Sequence, residues 1–110
     1  MMRYHLGEFE EIVLLTVAIL HGEAYGVAIM DEIENRLQRK VSLGALQTVL
    51  RRMEEKGYLS SEFGEATNVR GGKRKRFFIV TNFGKKMLEE VKEQRNILWK
   101  AVPKVAFGKS

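Results

Sequence analysis

The chain has no cysteine. That excludes a disulfide scaffold, a thiolate metal site and a cysteine nucleophile together, and it fits a reducing cytoplasm. Histidine is nearly as scarce: the only two, His5 and His21, stand outside any metal-ligand spacing. One proline and ten glycines leave no Pro-rich linker or collagen-like repeat. The longest apolar run, Ile12 to Leu20 broken at Thr16, falls short of the roughly 18–20 residues that a membrane span needs. It follows Glu8, Glu10 and Glu11 rather than a basic segment, and His21-Gly22-Glu23 makes a poor cleavage site, so it does not read as a signal peptide. No motif suggests a Ser/His/Asp set. Gly71-Gly72-Lys73 lacks the first glycine and the strand-to-helix setting of a phosphate loop. The expectation is a non-catalytic cytoplasmic protein with no cofactor, no metal and no membrane partner.

What is present is one domain's worth of chain. It has 110 residues, 45% hydrophobic and 30% charged, which is enough apolar material for a packed core. The net charge is +5, and its distribution is uneven. Residues 1–35 hold one arginine and seven acids, net −6; residues 36–110 hold eighteen bases and seven acids, net +11. Such a split predicts one surface for a polyanion, nucleic acid or an acidic membrane, and another for a different partner. A membrane-surface binder would carry a basic amphipathic helix rimmed by aromatics, and no segment has that form.

The periodicity predicts a mainly α fold with a small β-hairpin. Helix one covers Gly7 to Leu20, with the three acids, expected to be solvated, in its first turn at the positive end of the helix dipole. It is apolar nearly all round and so needs cover on more than one face, which a second subunit could supply. Helix two covers Ala24 to Arg39, with Tyr25, Ile29, Ile33 and Leu37 on one stripe. Helix three runs from Leu43 to Lys56, capped by Ser42 and stopped at Gly57. Leu43, Leu46, Val49, Leu50 and Met53 share its apolar half; Gly44, Thr48, Arg51, Arg52 and Glu55 face the other way, with Ala45 and Gln47 on the boundaries. The period then changes to two. Tyr58–Phe63 and Lys73–Thr81 read as strands around a polar loop, with Phe78 and Val80 on one face of the second strand. Thr81 caps a last helix, 82–102, which ends at Pro103 and carries Phe83, Met87, Val91, Leu98 and Trp99 as its apolar positions.

Helix, helix, helix, strand, strand, helix is the winged helix-turn-helix layout. Residues 1–81 are the DNA-binding region, 82–103 a dimerisation helix and 104–110 a flexible tail. The run Val69-Arg70-Gly71-Gly72-Lys73-Arg74-Lys75-Arg76 falls where a wing is expected, and it supplies cations for phosphate or the minor groove. The expected DNA-facing set is Tyr25, Ser42, Ala45, Gln47, Thr48, Arg51 and Arg52 from the helices with Arg70, Lys73, Arg74, Lys75 and Arg76 from the wing. Among these, Gln47, Thr48 and Arg51 are the candidates for base edges. The expected dimer interface is Phe9, Ile12 and Val13 with Met87, Val91, Leu98 and Trp99, because the last four would otherwise leave an apolar stripe in water. The alternative is a non-catalytic winged-helix module that binds protein or RNA.

Four segments resemble the PadR-type transcriptional regulators. They are Leu20-His21-Gly22-Glu23-Ala24-Tyr25-Gly26, Leu50-Arg51-Arg52-Met53-Glu54-Glu55-Lys56-Gly57-Tyr58-Leu59, Gly71-Gly72-Lys73-Arg74-Lys75-Arg76-Phe77-Phe78 and Val80-Thr81-Asn82-Phe83-Gly84. Their order and spacing carry the resemblance, which spans about residues 6–102. It implies a homodimeric repressor, paired through its first and last helices, that binds inverted repeats in double-stranded DNA. It also implies a small hydrophobic or flat aromatic ligand near Trp99, able to release the DNA. The chain departs from the family where members commonly carry Thr-Leu-Tyr-Pro: it has Ala45-Leu46-Gln47-Thr48, so the usual tyrosine role does not pass to Gln47.

Overall fold

The computed structural model describes residues 6–64 and 74–108. Helix α1 spans Glu8–Ile19. Its three first-turn acids do more than face the dipole. Glu10 is buried; its carboxylate accepts from the Gly7 amide at 2.9 Å and from Lys56 Nζ at 3.2 Å. Glu8 accepts from Arg39 at 3.0 Å and Glu11 from Arg95 at 2.9 Å. The acids expected to be solvated therefore join α1 to three other parts of the chain. Burial disfavours the charged form of Glu10, but the Gly7 amide, the Lys56 ammonium and the charge of Arg52 outweigh it and hold the carboxyl below its ordinary value.

Helix α2 spans Gly26–Leu37, two residues shorter at each end than its apolar pattern suggests. The cause at the start is tertiary. Ala24 is fully buried, and its carbonyl accepts from the Phe78 amide at 2.8 Å. Residue 24 is thus committed to the hairpin's edge, and Tyr25 becomes the N-cap. At the other end Gln38 turns left-handed, with φ 53°.

Helix α3 spans Leu43–Glu55. Ser42 Oγ accepts from the Ala45 amide at 3.1 Å, as a capping serine does. Gly57, at φ 85°, ends it. The Tyr58 amide donates to the Met53 carbonyl and the Gly57 amide to that of Glu54, the paired bonds of a Schellman stop. That stop aims the chain straight into strand β1, Leu59–Phe63, which pairs antiparallel with β2, Arg76–Val80. The register sets Leu59 opposite Val80, Ser61 opposite Phe78 and Phe63 opposite Arg76.

Helix α4 spans Asn82–Ala101, and Thr81 caps it by accepting from the Gly84 amide at 3.0 Å. Its first turn lies so close to the hairpin that a Cβ on Gly84 would stand 2.3 Å from the Tyr58 carbonyl oxygen. Only glycine permits that approach. Met87 then enters the core and Val91 packs against its edge, while every residue from Lys92 to Ala101 is exposed. Residues 104–107, expected in the flexible tail, form a short 3-10 turn, Lys104–Phe107, whose Phe107 ring lies 5.9 Å from that of Trp99.

The core gathers Val13, Leu14 and Val17 of α1, Ile29 and Ile33 of α2, Leu46, Leu50 and Met53 of α3, and Leu59 and Phe78 of the hairpin. Two residues expected at a subunit interface belong here instead. Val13 has no exposed surface and Met87 is 3% exposed, because α1 turns that side toward the other helices and α4 begins by crossing the hairpin. Phe9, Ile12 and Val91 are half-buried against the same core. The architecture is a winged helix-turn-helix with a projecting C-terminal helix.

Candidate nucleic-acid interface

The capping of α3 decides which of its residues face water. With Ser42 as N-cap and Leu46, Leu50 and Met53 buried, the helix must present Gly44, Ala45, Gln47, Thr48, Arg51 and Arg52, and all six are exposed. The small residues at its start let the backbone approach a groove closely. Thr48 spends its hydroxyl proton on the Gly44 carbonyl at 3.0 Å, leaving the oxygen as an acceptor. Arg51 lies 3.8 Å from Glu55, with 74% of its side chain exposed. So loose and solvated a pair contributes little and leaves the guanidinium available. Ser42 acts through the cap.

Between α3, the start of α2 and the base of the wing lies a cleft of about 480 Å³. Tyr25, Gln47 and Arg51 line it, together with Arg74, Lys75 and Arg76. The Tyr25 ring is held edge-on to Phe77, centroids 5.7 Å apart, and Lys75 Nζ sits 4.2 Å from its centroid. The face of an aromatic ring attracts a cation, so Tyr25 fixes the lysine at the rim. Among the described residues neither Arg74 nor Lys75 has a carboxylate within ion-pair distance. A rim of cations with no carboxylate partner among the described residues, beside a polar helix face, suits a phosphate backbone.

Two expected cations, Arg70 and Lys73, lie outside the described residues. Two more are placed differently from the rest. Arg52 lies on the side of α3 from which its charge reaches Glu10. Arg76 Nε donates to Ser61 Oγ at 2.8 Å, its Nη2 is 3.7 Å from Glu54, and its guanidinium lies 5.1 Å over the Phe63 ring. Glu54, Ser61 and Phe63 have no part in the expected site. The signal for Phe63 and Ser61 was the hairpin register; for Glu54 it was the seven-residue spacing from Gln47, which puts both on one helix face.

A second surface lies at the far end of α4. Ile97, Leu98 and Trp99 are 60–69% exposed. A groove of about 420 Å³ runs between α1 and α4, with Leu15, Leu88 and Trp99 as its apolar part and the Glu11–Arg95 pair at its edge. Among the described residues no group of three or more acids or histidines could hold a metal ion, and no helix is long and apolar enough to cross a membrane.

The family described as Transcriptional regulator PadR-like matches residues 14–90, more than half the chain. A PadR family regulator from Clostridium difficile R20291 is 30% identical; the match covers 81% of this chain and 91% of that one, with a TM-score of 0.64. A PadR family regulator from Eggerthella lenta DSM 2243 is 26% identical over 89% of this chain and 83% of its own, with a TM-score of 0.67. A protein of Streptococcus mutans UA159, 24% identical, shares the fold over 99% of this chain and 97% of its own at a TM-score of 0.65. No curated protein matches the chain.

Proposed function

This chain belongs to the PadR-like family of transcriptional regulators, non-catalytic proteins with a DNA-binding winged-helix fold, and from that membership we propose that it is a homodimeric repressor of an inverted-repeat operator. The observation that carries the proposal is the exposed polar face of α3 beside a cleft rimmed by Arg74 and Lys75. In this reading Gln47, Thr48 and Arg51 meet base edges, and the rim cations meet phosphate. The exposed Leu98 and Trp99 pair with a second copy against the open side of α1, where Leu15 and Ile19 are 45% and 52% exposed. A two-fold dimer then spaces two recognition helices about one DNA turn, roughly 34 Å, apart. A small aromatic or hydrophobic ligand that enters beside Trp99 changes that spacing and releases the operator.

A salt-titrated gel shift with the DNA flanking its own gene, against unrelated duplex DNA and duplex RNA, tests the proposal. Repression requires a preferred DNA fragment with steep salt dependence. Equal binding to RNA, or no nucleic-acid binding at all, would hand the fold to the reading as an interaction module.

A further inference from the structure

Arg76 stands in the basic run of the wing, yet its surroundings differ from those of its neighbours. In the hairpin register Ser61 opposes Phe78 and Phe63 opposes Arg76, so Ser61, Phe63 and Arg76 share one face, with Ser61 and Arg76 on the diagonal that a long side chain can span. That face looks at α3. Glu54, in the last turn of α3, is 30% exposed on its side chain and lies 3.7 Å from Arg76. Ser61 Oγ donates to Glu54 Oε2 at 2.5 Å while it accepts from Arg76 Nε at 2.8 Å. The guanidinium carbon stands 5.1 Å from the Phe63 ring centroid. Arg76 is therefore hydrogen-bonded to Ser61 and set beside a carboxylate and a ring of its own chain, whereas among the described residues Lys75 has only an aromatic face beside its ammonium.

We propose that Arg76, Ser61 and Glu54 form a bracket that sets the angle between wing and recognition helix, making Arg76 a positioning residue for sequence discrimination rather than a phosphate contact. A two-stranded hairpin has little rigidity of its own; the backbone stop at Gly57 and the Ala24–Phe78 bond anchor its base, and farther out its angle to α3 depends on side chains that tie the two. Charge-assisted bonds are strong and directional, and a planar guanidinium can serve a hydroxyl, a carboxylate and a ring face at once, which lysine cannot. Glu54 stands two helical turns, about 10 Å, along α3 from Gln47. Tilting the wing at that point shifts the phosphates it grips against the bases that α3 meets.

The inference rests on the DNA-binding reading, and the test separates the two. A duplex is first selected from a random library by the wild-type protein. Binding of that duplex and of a scrambled one is then measured by anisotropy across a salt series, and thermal melting of each variant confirms folding. Arg76→Gln, Arg76→Lys and Glu54→Ala should each lower discrimination between the duplexes about tenfold, and the effects should not add in the Glu54→Ala/Arg76→Gln double variant. The log–log salt slope should stay at the wild-type value in all of them, while Lys75→Ala lowers it by about 0.9. If Arg76→Gln lowers the slope as Lys75→Ala does, Arg76→Lys restores it and Glu54→Ala tightens binding, Arg76 is a phosphate contact and the bracket is overturned. If the wild-type protein enriches no duplex, the DNA-binding reading fails and the bracket's role falls with it.

Discussion

Helices α3 and α4 are both amphipathic, but they finish differently. On α3 Leu46, Leu50 and Met53 are buried and Val49 half-buried; apart from Leu43 in the first turn, what remains in water is small, polar or basic. On α4 only the first half is covered: Met87 is buried, while Ile97, Leu98 and Trp99 lie in water ten and more residues on. A polar face needs nothing further from the protein and is free for a hydrated, charged ligand. Three adjacent large apolar side chains, each exposed by 60% or more, form the kind of face that a protein contact would cover, the role proposed for it. In the proposed function the two helices separate the two tasks that the uneven charge of the chain implies.

The largest effect should come from attacking the uncovered half of α4. Leu98→Asp with Trp99→Ser removes two side chains per subunit, each worth roughly 1.5–3 kcal/mol when buried. Sedimentation at micromolar concentration should show monomers, and operator affinity should fall at least a hundredfold, about 3 kcal/mol. A wild-type monomer that still binds an inverted repeat tightly would break the comparison. The covered half should respond otherwise. Met87→Ala should lower unfolding stability by about 2–5 kcal/mol in a denaturant titration, with the loss present even at protein concentrations where no dimer forms.

On α3 a smaller and more selective effect is expected. Gln47→Ala should weaken binding of the true operator by about 1–3 kcal/mol per base pair read and leave non-specific binding unchanged. A uniform loss on every sequence would place Gln47 outside base recognition. The smallest effect concerns the pair that ties α3 to α1. The folded-state pKa of Glu10 lies below its ordinary value, so its contribution is complete above the normal carboxylate range and is lost as the pH falls through the lowered folded value. Glu10→Gln should cost about 1 kcal/mol or less at neutral pH and should flatten the acid limb of a melting-temperature profile.

Much of the fold that frames the candidate interface was legible one residue at a time. Ser42, Gly57 and Thr81 act locally, through hydrogen bonds to amides or a positive φ, and their positions mark α3, its stop and the start of α4. The exposed face of α3 follows from 3.6-residue periodicity because the opposite side is continuously apolar. Where the expectations failed, a distant partner had intervened. The helical pattern runs through Ala24, but the Phe78 amide claims its carbonyl. Val13 and Met87 are apolar on an apolar stripe, and nothing in their spacing distinguishes core from interface. Arg76 is one cation in a run, and only the hairpin register and Glu54 set it apart.

The amino-acid order alone determined the kinds of elements, their order and the polarity of each face, because caps, turn glycines and hydrophobic periodicity act over a few residues. It also determined that a basic wing follows a polar helix, the combination that suits DNA. The tertiary structure decided which apolar side chains are buried and which stay in water, and, among the described residues, which cations have a carboxylate beside them. Both depend on residues far apart in the chain: Gly84 against the Tyr58 carbonyl brings Met87 into the core, and Ser61 and Glu54 engage Arg76 at the base of the wing. Burial and charge neutralisation are properties of what lies within a few ångströms, and only the folded chain brings those neighbours together.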